Sequence, residues 1–214
     1  MIKVEYLETF NWRGAIRGMR NPLNSWDKSD SDFDVQYYDD DCNETEYHEV
    51  ELGENDLDLM KRLFKGGTEH RKYLRQIFVS MDITAPLYWW KEFDTYKVGT
   101  VSNSCSTMHT IHKKEFSRED FSCEHLDDGS MYALDMTILT LNANREKFLE
   151  TKDKSYWWNM IQLLPTSYNQ KRTITMNYEN VFTIIRQRTG HKLDEWNTFI
   201  DIMTNELPYI KELL

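Results

Sequence analysis

The sequence predicts a single helix-rich α+β domain, residues 1–214, around a small, mostly antiparallel sheet. Three observations predict it. Residues 75–84, RQIFVSMDIT, alternate almost strictly, with Ile77, Val79, Met81 and Ile83 on one side and Phe78, Ser80, Asp82 and Thr84 on the other, which is the period of a half-buried strand. Two C-terminal segments, 178–189 and 193–207, carry apolar stripes at helical spacing: Tyr178, Val181, Phe182 and Ile185, then Leu193, Trp196, Ile200, Met203 and Leu207. The 214 residues are 40% hydrophobic and 14% aromatic, with only 8 Gly and 4 Pro, so they suit one substantial core better than a loop-rich design. Few strands among several long helices is the α+β pattern.

The remaining elements follow in chain order. Residues 2–7, IKVEYL, alternate and predict a short strand. In NWRGAIRGMR, Asn11 is placed to cap a helix whose Trp12, Ala15, Ile16 and Met19 recur at helical spacing, and Pro22 ends it. From 27 to 58 the chain turns acidic, which predicts a solvated loop or insertion. Carboxylates also suit a hard cation, but no glycine sits where a calcium loop needs its turn. Leu57, Met60, Leu63 and Phe64 form one face of a helix over 56–65, stopped by Gly66-Gly67. Pro86 opens LYWWKEFDTYK as the first turn of another, whose Trp89, Trp90 and Phe93 read as core. Ser130 is placed to cap a helix striped by Met131, Leu134, Ile138 and Leu141. Residues 156–164 continue helically to Pro165, RTITMN (172–177) predicts a strand, and Gly190 separates the last two helices.

Composition narrows function. A net charge of -10 works against duplex nucleic acid, whose phosphates need Lys and Arg. It leaves room for a local basic pocket that takes a small nucleotide. The stretch MIKVEYLETF lacks the apolar core of a signal peptide, and the uncharged runs are shorter than a membrane span. Cys42, Cys105 and Cys123 lack Cys-x-x-Cys spacing, which argues against a disulfide scaffold or structural zinc. These features give the expectation of a cytoplasmic protein without membrane or metal partners. No glycine loop of Walker or dinucleotide type is present.

Three polar clusters carry the candidate chemistry: His70-Arg71, Tyr96-Lys97 running into SNSCSTMH (102–109), and Arg172, Asn177, Arg186, Arg188 and His191. An arginine near a helix C-terminus is often a dipole partner, but this group of cations in an acidic chain suits a phosphate or a pyrimidine carbonyl edge. In SNSCSTMH a Ser or Cys nucleophile would need a base and an orienting third group, which normally meet through the fold. With no Gly-x-Ser-x-Gly elbow, a hydroxyl-rich loop that binds a polar ligand is the better reading than a hydrolase.

The order of these clusters resembles the flavin-dependent thymidylate synthase family over most of the chain. AIRGMRNPLNSW looks like that family's early helix, and EHRKYLRQIFVSMDITAP its His-containing stretch, strand and Ala-Pro, with His70 on the histidine. LYWWKEFDTYK occupies the helix leading to the Arg-His-Arg signature, which falls on Thr95, Tyr96 and Lys97. LLPTSYNQKRTITMN looks like its Leu-Pro segment and strand ending in Asn, and IIRQRTGHKLDEW like its Leu-Arg…His-Ala-Gln-x-Glu-Ile stretch. The family's Glu-x-Ser-x-Arg-Tyr falls in SNSCSTMH, with its serine on Cys105 without a gap, or on Ser106 after one inserted residue, which places Ser104, Met108 and His109 at the Glu, Arg and Tyr. Ile161 stands where a phosphate-facing arginine is expected, with Gln162 or Arg172 as substitutes.

The resemblance implies a homotetramer with shared active sites, binding FAD and a pyrimidine deoxynucleotide such as dUMP, with NADPH and methylenetetrahydrofolate as co-substrates. It puts His70, Tyr96, Lys97, Asn177 and His191 (the last after a one-residue deletion) at the flavin. It puts Ser104, Ser106, His109, Arg172 and Arg188 at the nucleotide, with Arg188 reading the pyrimidine. No catalytic side chain and no metal are implied, because the flavin carries the chemistry. The departures fall on anion-binding groups, and this motivates the alternative of a catalytically degenerate nucleotide-binding or protein-interaction module.

Overall fold

The computed structural model describes residues 2–39 and 44–214; Cys42 and the middle of the acidic stretch lie outside them. The elements are β1 (Lys3–Phe10), α1 (Trp12–Arg20), β2 (Asp32–Tyr38), β3 (Glu44–Glu51), α2 (Glu54–Lys65), β4 (Phe78–Pro86), α3 (Leu87–Phe93), β5 (Thr100–Ser104), α4 (Thr107–Thr110), α5 (Asp128–Thr151), α6 (Lys154–Leu163), β6 (Asn169–Asn177), α7 (Tyr178–Arg188), α8 (Asp194–Glu206) and α9 (Ile210–Leu213). Among the described residues, one sheet has the order β1-β4-β6-β5, and β2 pairs with β3 in a second. The helix-rich α+β class read from the sequence is the observed one.

By contacts the chain divides into two compact units. One contains residues 1–5, 82–95 and 102–173; the other contains 6–81, 96–101 and 174–214. In the second unit Trp12, Ile16, Met60, Leu74, Val79, Tyr178, Val181, Trp196, Phe199 and Met203 are almost fully buried. Trp12 meets Tyr178 edge-on at 5.1 Å, and Phe64 meets Phe182 at 4.7 Å. The expected stripes of α1, α7 and α8 therefore face this core. In the first unit Leu134, Ile138 and Leu141 of α5 pack with Ile111, Phe116, Phe121 and Met160. Trp89, Trp90 and Phe93 of α3 are buried too, as their reading as core requires.

The alternation of β4 is reproduced, with Val79, Met81, Ile83 and Ala85 buried and Phe78 exposed. The strand begins at Phe78 because residues 72–75 form a 3-10 turn that buries Tyr73 and Leu74. Burial pushes the Tyr73 phenol up in pKa, and its hydroxyl donates to the Met60 carbonyl. β6 begins three residues earlier than expected, at Asn169.

Other elements differ from the sequence expectation. The acidic stretch is not loop throughout: β2 and β3 form an antiparallel hairpin, with Phe33 opposite Val50 and Val35 opposite His48. Two of its carboxylates are structural. Asp30 accepts from the N–H groups of Asn55 and Asp56 at the start of α2, and Gly53 makes room for it, since a Cβ there would lie 2.2 Å from Asp30. Asp56 is fully buried against Arg20, whose Nε donates to it at 2.6 Å. Ser130 does not cap α5. Asp127 does, accepting from the Ser130 N–H at 2.8 Å, because the helix starts two residues before Ser130. Asn11 precedes α1 as expected, but its side chain donates to the Gln76 carbonyl instead of capping.

Candidate functional site

The first cluster lies within the second unit and centres on Arg188. Asn177 caps α7, its Oδ1 accepting from the Asn180 N–H at 3.0 Å, and the buried stripe fixes the helix's rotation. Arg188, seven residues after the buried Val181, therefore projects toward the core side, whereas Arg186 is exposed. Arg188 Nε donates to the Tyr96 hydroxyl at 2.9 Å, and that hydroxyl donates to Gln187 at 3.1 Å. The guanidinium lies 4.7 Å from the Trp196 ring centre and 5.6 Å from that of Tyr96, within cation–π range. Arg188 Nη1 also lies 3.2 Å from His191 Nε2, while the Leu193 N–H points at His191 Nδ1 at 3.2 Å. A neutral imidazole accepts at one nitrogen only, so these two donors compete for the ring.

The segment 96–101 is fastened to the start of α7. Asn180 Nδ2 donates to the Val98 carbonyl at 2.8 Å and to Thr100 Oγ1 at 2.9 Å. Gly99 permits this approach: its φ is +74°, and a Cβ would fall 2.6 Å from Asn177 Nδ2. The same helix start reaches the segment bearing His70, since Glu179 pairs with Arg71 at 3.3 Å and Arg75 at 3.4 Å. His70 itself is exposed and lines a mostly apolar cleft of about 600 Å³ together with Lys72 and Arg75. Lys97 is exposed beside Tyr96. The structure thus gathers Tyr96, Arg188 and His191 into one cage, with Asn177 at the other end of α7. His70 and Lys97 stand outside that cage.

The second cluster lies within the first unit. Arg172 sits over the Trp90 ring at 4.2 Å and pairs with Asp94 at 2.8 Å. Its Nε donates to Gln170 Oε1 at 2.9 Å, and Gln170 Nε2 donates to the Cys105 carbonyl and to Thr107 Oγ1. Gln170 therefore couples Arg172 to SNSCSTMH. That segment is not a loop: it is the end of β5, a cap and the single turn of α4. Ser106 is the cap, its Oγ accepting from the backbone N–H of His109 at 3.3 Å. This contact joins the serine to His109's main chain and not to its ring, so it is no nucleophile–base pair. Ser104 and the His109 ring are exposed.

Gln170, Asn180 and Gly99 escaped the sequence reading, and Trp196 was read only as part of a helix stripe. Asn180, three residues beyond the Asn177 cap, carried a local signal. Gln170 and Trp196 became visible only as partners of distant residues. Among the described residues no group of three or more His, Cys, Asp or Glu is placed to hold a metal. No helix among them is long and apolar enough to cross a membrane.

The fold is that of the flavin-dependent thymidylate synthases and of pyrimidine-nucleotide methylases built like them. Thymidylate synthase X from Helicobacter pylori, solved with FAD and dUMP, matches with a TM-score of 0.70 over 99% of this chain and 96% of its own, at 17% identity. A UMP/dUMP methylase from Streptomyces cacaoi, bound with 5-Br UMP, matches with a TM-score of 0.60 over 95% of this chain and 86% of its own, at 11% identity. No family model and no curated protein matches the sequence.

Proposed function

We propose that this protein is a flavin-dependent methylase acting at C5 of a pyrimidine deoxynucleotide such as dUMP. In this reading it works with FAD, NADPH and methylenetetrahydrofolate, as a homotetramer with shared sites in the cytoplasm. The observation that carries the reading is the placement of Arg188, the arginine matched to pyrimidine recognition. It is half-buried, stacked on Trp196 and oriented by Tyr96. The indole of Trp196 and the phenol of Tyr96 fix the plane of its fork, which is what bidentate reading of a uracil edge requires.

The donor set fits an anionic dinucleotide in its exposed members. His70 and Lys97, both exposed, offer N–H donors to a diphosphate. Asn177 and His191 would serve by shaping the site, since the side chain of Asn177 caps α7 and the ring of His191 lies against Arg188. When bound, the flavin supplies the redox chemistry. The chain's own work is binding and orientation. Arg172 donates to Gln170, which in turn donates to the Cys105 carbonyl and to Thr107, so the cation is linked to the segment bearing Ser104, Ser106 and His109, the groups proposed to frame the nucleotide.

A second reading has its own support. Arg172 is already neutralised by Asp94, and Lys97 replaces an arginine fork by a point charge. Both favour a degenerate nucleotide-binding module on the same scaffold. An absorbance scan of the purified protein, followed by FAD titration and a methyl-transfer assay with dUMP, separates the two. Flavin bands with tetrahydrofolate-dependent turnover establish the methylase. Nucleotide binding without flavin uptake or turnover rejects it in favour of the module.

A further inference from the structure

The guanidinium of Arg172 is held on three sides. It lies over the Trp90 ring at 4.2 Å, its Nη1 donates to Asp94 at 2.8 Å, and its Nε donates to Gln170 at 2.9 Å. Trp90 is itself fixed, because its indole N–H donates to the Gln170 carbonyl at 2.9 Å. The Nη2 edge of the fork stays open: it makes no hydrogen bond among the described residues, and it is not buried.

Asp94 cancels the charge of that fork, and the cluster does not restore it. α3 and the residue after it carry Lys91, Glu92 and Asp94, so together with Arg172 they supply as many carboxylates as cations. Lys171, next in the chain, faces the other side of the strand and is shared by Asp82 at 3.0 Å and Glu5 at 3.5 Å. Residues 102–108 bring hydroxyls, an amide and a thiol but no charge. Ser104 is exposed, and Ser106 accepts from the His109 N–H, which leaves its own O–H to donate.

A 5′-monophosphate carries a charge of about −2 at neutral pH. To take this fork it must displace Asp94 or sit beside it, like charge against like charge, and its lost hydration goes uncompensated. A sugar hydroxyl meets no such penalty. It can accept from Nη2 and exchange hydrogen bonds with Ser104 and Ser106 while the Arg172–Asp94 pair stays closed. We infer that Asp94 is a specificity-determining residue, a charge filter through which the site holds a pyrimidine nucleoside with a free 5′-hydroxyl about as well as the 5′-monophosphate. The inference rests on the reading above, in which Arg172 stands in for a phosphate-facing arginine, and it widens the substrate class from nucleotides to nucleosides.

Calorimetry with dUMP and with deoxyuridine, each in the presence of FAD, tests it on the wild type and on Asp94→Asn. The wild type is expected to bind the two with similar affinity. Asp94→Asn keeps an acceptor for Nη1 but removes the charge. Because the carboxylate is half-exposed and screened, the variant is expected to tighten dUMP roughly fivefold and to leave deoxyuridine unchanged. That gain should shrink as salt is raised, which a merely structural effect would not do, and adding Arg172→Gln should abolish it. A wild type that prefers dUMP by roughly a hundredfold, or an Asp94→Asn variant that moves neither ligand or both alike, overturns the inference and leaves the pyrimidine reading of the site standing. Binding of neither ligand by either protein overturns that reading and the inference with it. If Asp94→Asn misfolds, the wild-type preference decides alone.

Discussion

Arg188 and Tyr96 meet across 92 residues of chain, with the arginine's Nε donating to the tyrosine's oxygen at 2.9 Å. Tyr96 stands where the family resemblance places the histidine of an Arg-His-Arg signature. Here its phenol accepts from one cationic side chain and donates to Gln187, so it orients the arginine without adding charge of its own.

Tyr96→Phe tests that orientation. The ring keeps its packing against Trp196, at 6.1 Å between centres, so the fold is retained. Loss of one hydrogen bond to a charged group, about 1.5 kcal/mol, is expected to weaken dUMP binding roughly tenfold by calorimetry. Arg188→Ala removes the fork altogether and is expected to weaken it further. Unchanged affinity in both variants would show that the nucleotide does not use this cage.

Gly99 and Gly190 form an internal control, since both have a φ of +74°. At Gly190 a new Cβ meets nothing within 4 Å, so Gly190→Ala carries only the left-handed backbone penalty, about 1–2 kcal/mol. At Gly99 the Cβ also collides with Asn177 Nδ2 at 2.6 Å. Gly99→Ala is therefore expected to cost more than Gly190→Ala in urea denaturation. Equal losses would mean that Asn177 moves aside freely.

Asp56 gives a stability limb on the acid side. Burial pushes its carboxyl up, but hydrogen bonds from Ser29, Ser31 and Arg20 outweigh that and hold its pKa below the ordinary 3.8. A folded-state value below the unfolded one contributes stability above pH 3.8 that is lost as the pH falls through the folded value. Asp56→Asn leaves the Arg20 guanidinium buried without its counter-charge and is expected to cost about 3–5 kcal/mol at neutral pH. Denaturation midpoints measured across pH 2–6 should show a shallower acid limb in the variant.

Ser106→Ala removes a cap from a single helical turn, so a loss of about 1 kcal/mol or less is expected. Gln170→Leu should loosen more, because it severs Arg172 from the carbonyl of Cys105 and from Thr107 at once. Hydrogen exchange over residues 102–110 is expected to accelerate more in Gln170→Leu than in Ser106→Ala. The reverse order would show that the cap, and not the glutamine, holds this segment.

Much of the fold was legible because its signals are local. The alternation of β4 and the stripes of α1, α5, α7 and α8 each report one buried face, and burial requires that period whatever packs against it. The β2–β3 hairpin was hidden. Phe33 and Val35 alternate as a strand should, but charges on the outward positions make the stretch read as solvated, and pairing with Val50 and His48 is not a local property. At the start of α5, Asp127 and Ser130 are both good capping residues, and only the helix's actual first turn chooses between them.

The candidate site divides in the same way. Residue types and order alone nominated Arg188, Asn177, Arg172 and the hydroxyl-rich segment, because forks, an amide and a run of hydroxyls are chemical facts of the sequence. Tertiary structure decided what each one does. It gave Arg188 its phenol and indole, gave Arg172 its carboxylate and Trp90, and turned Ser106 from a possible nucleophile into a helix cap. The physical reason is that a side chain's chemistry is intrinsic, whereas the partner that orients or neutralises it can come from 92 residues away, where no local pattern reaches.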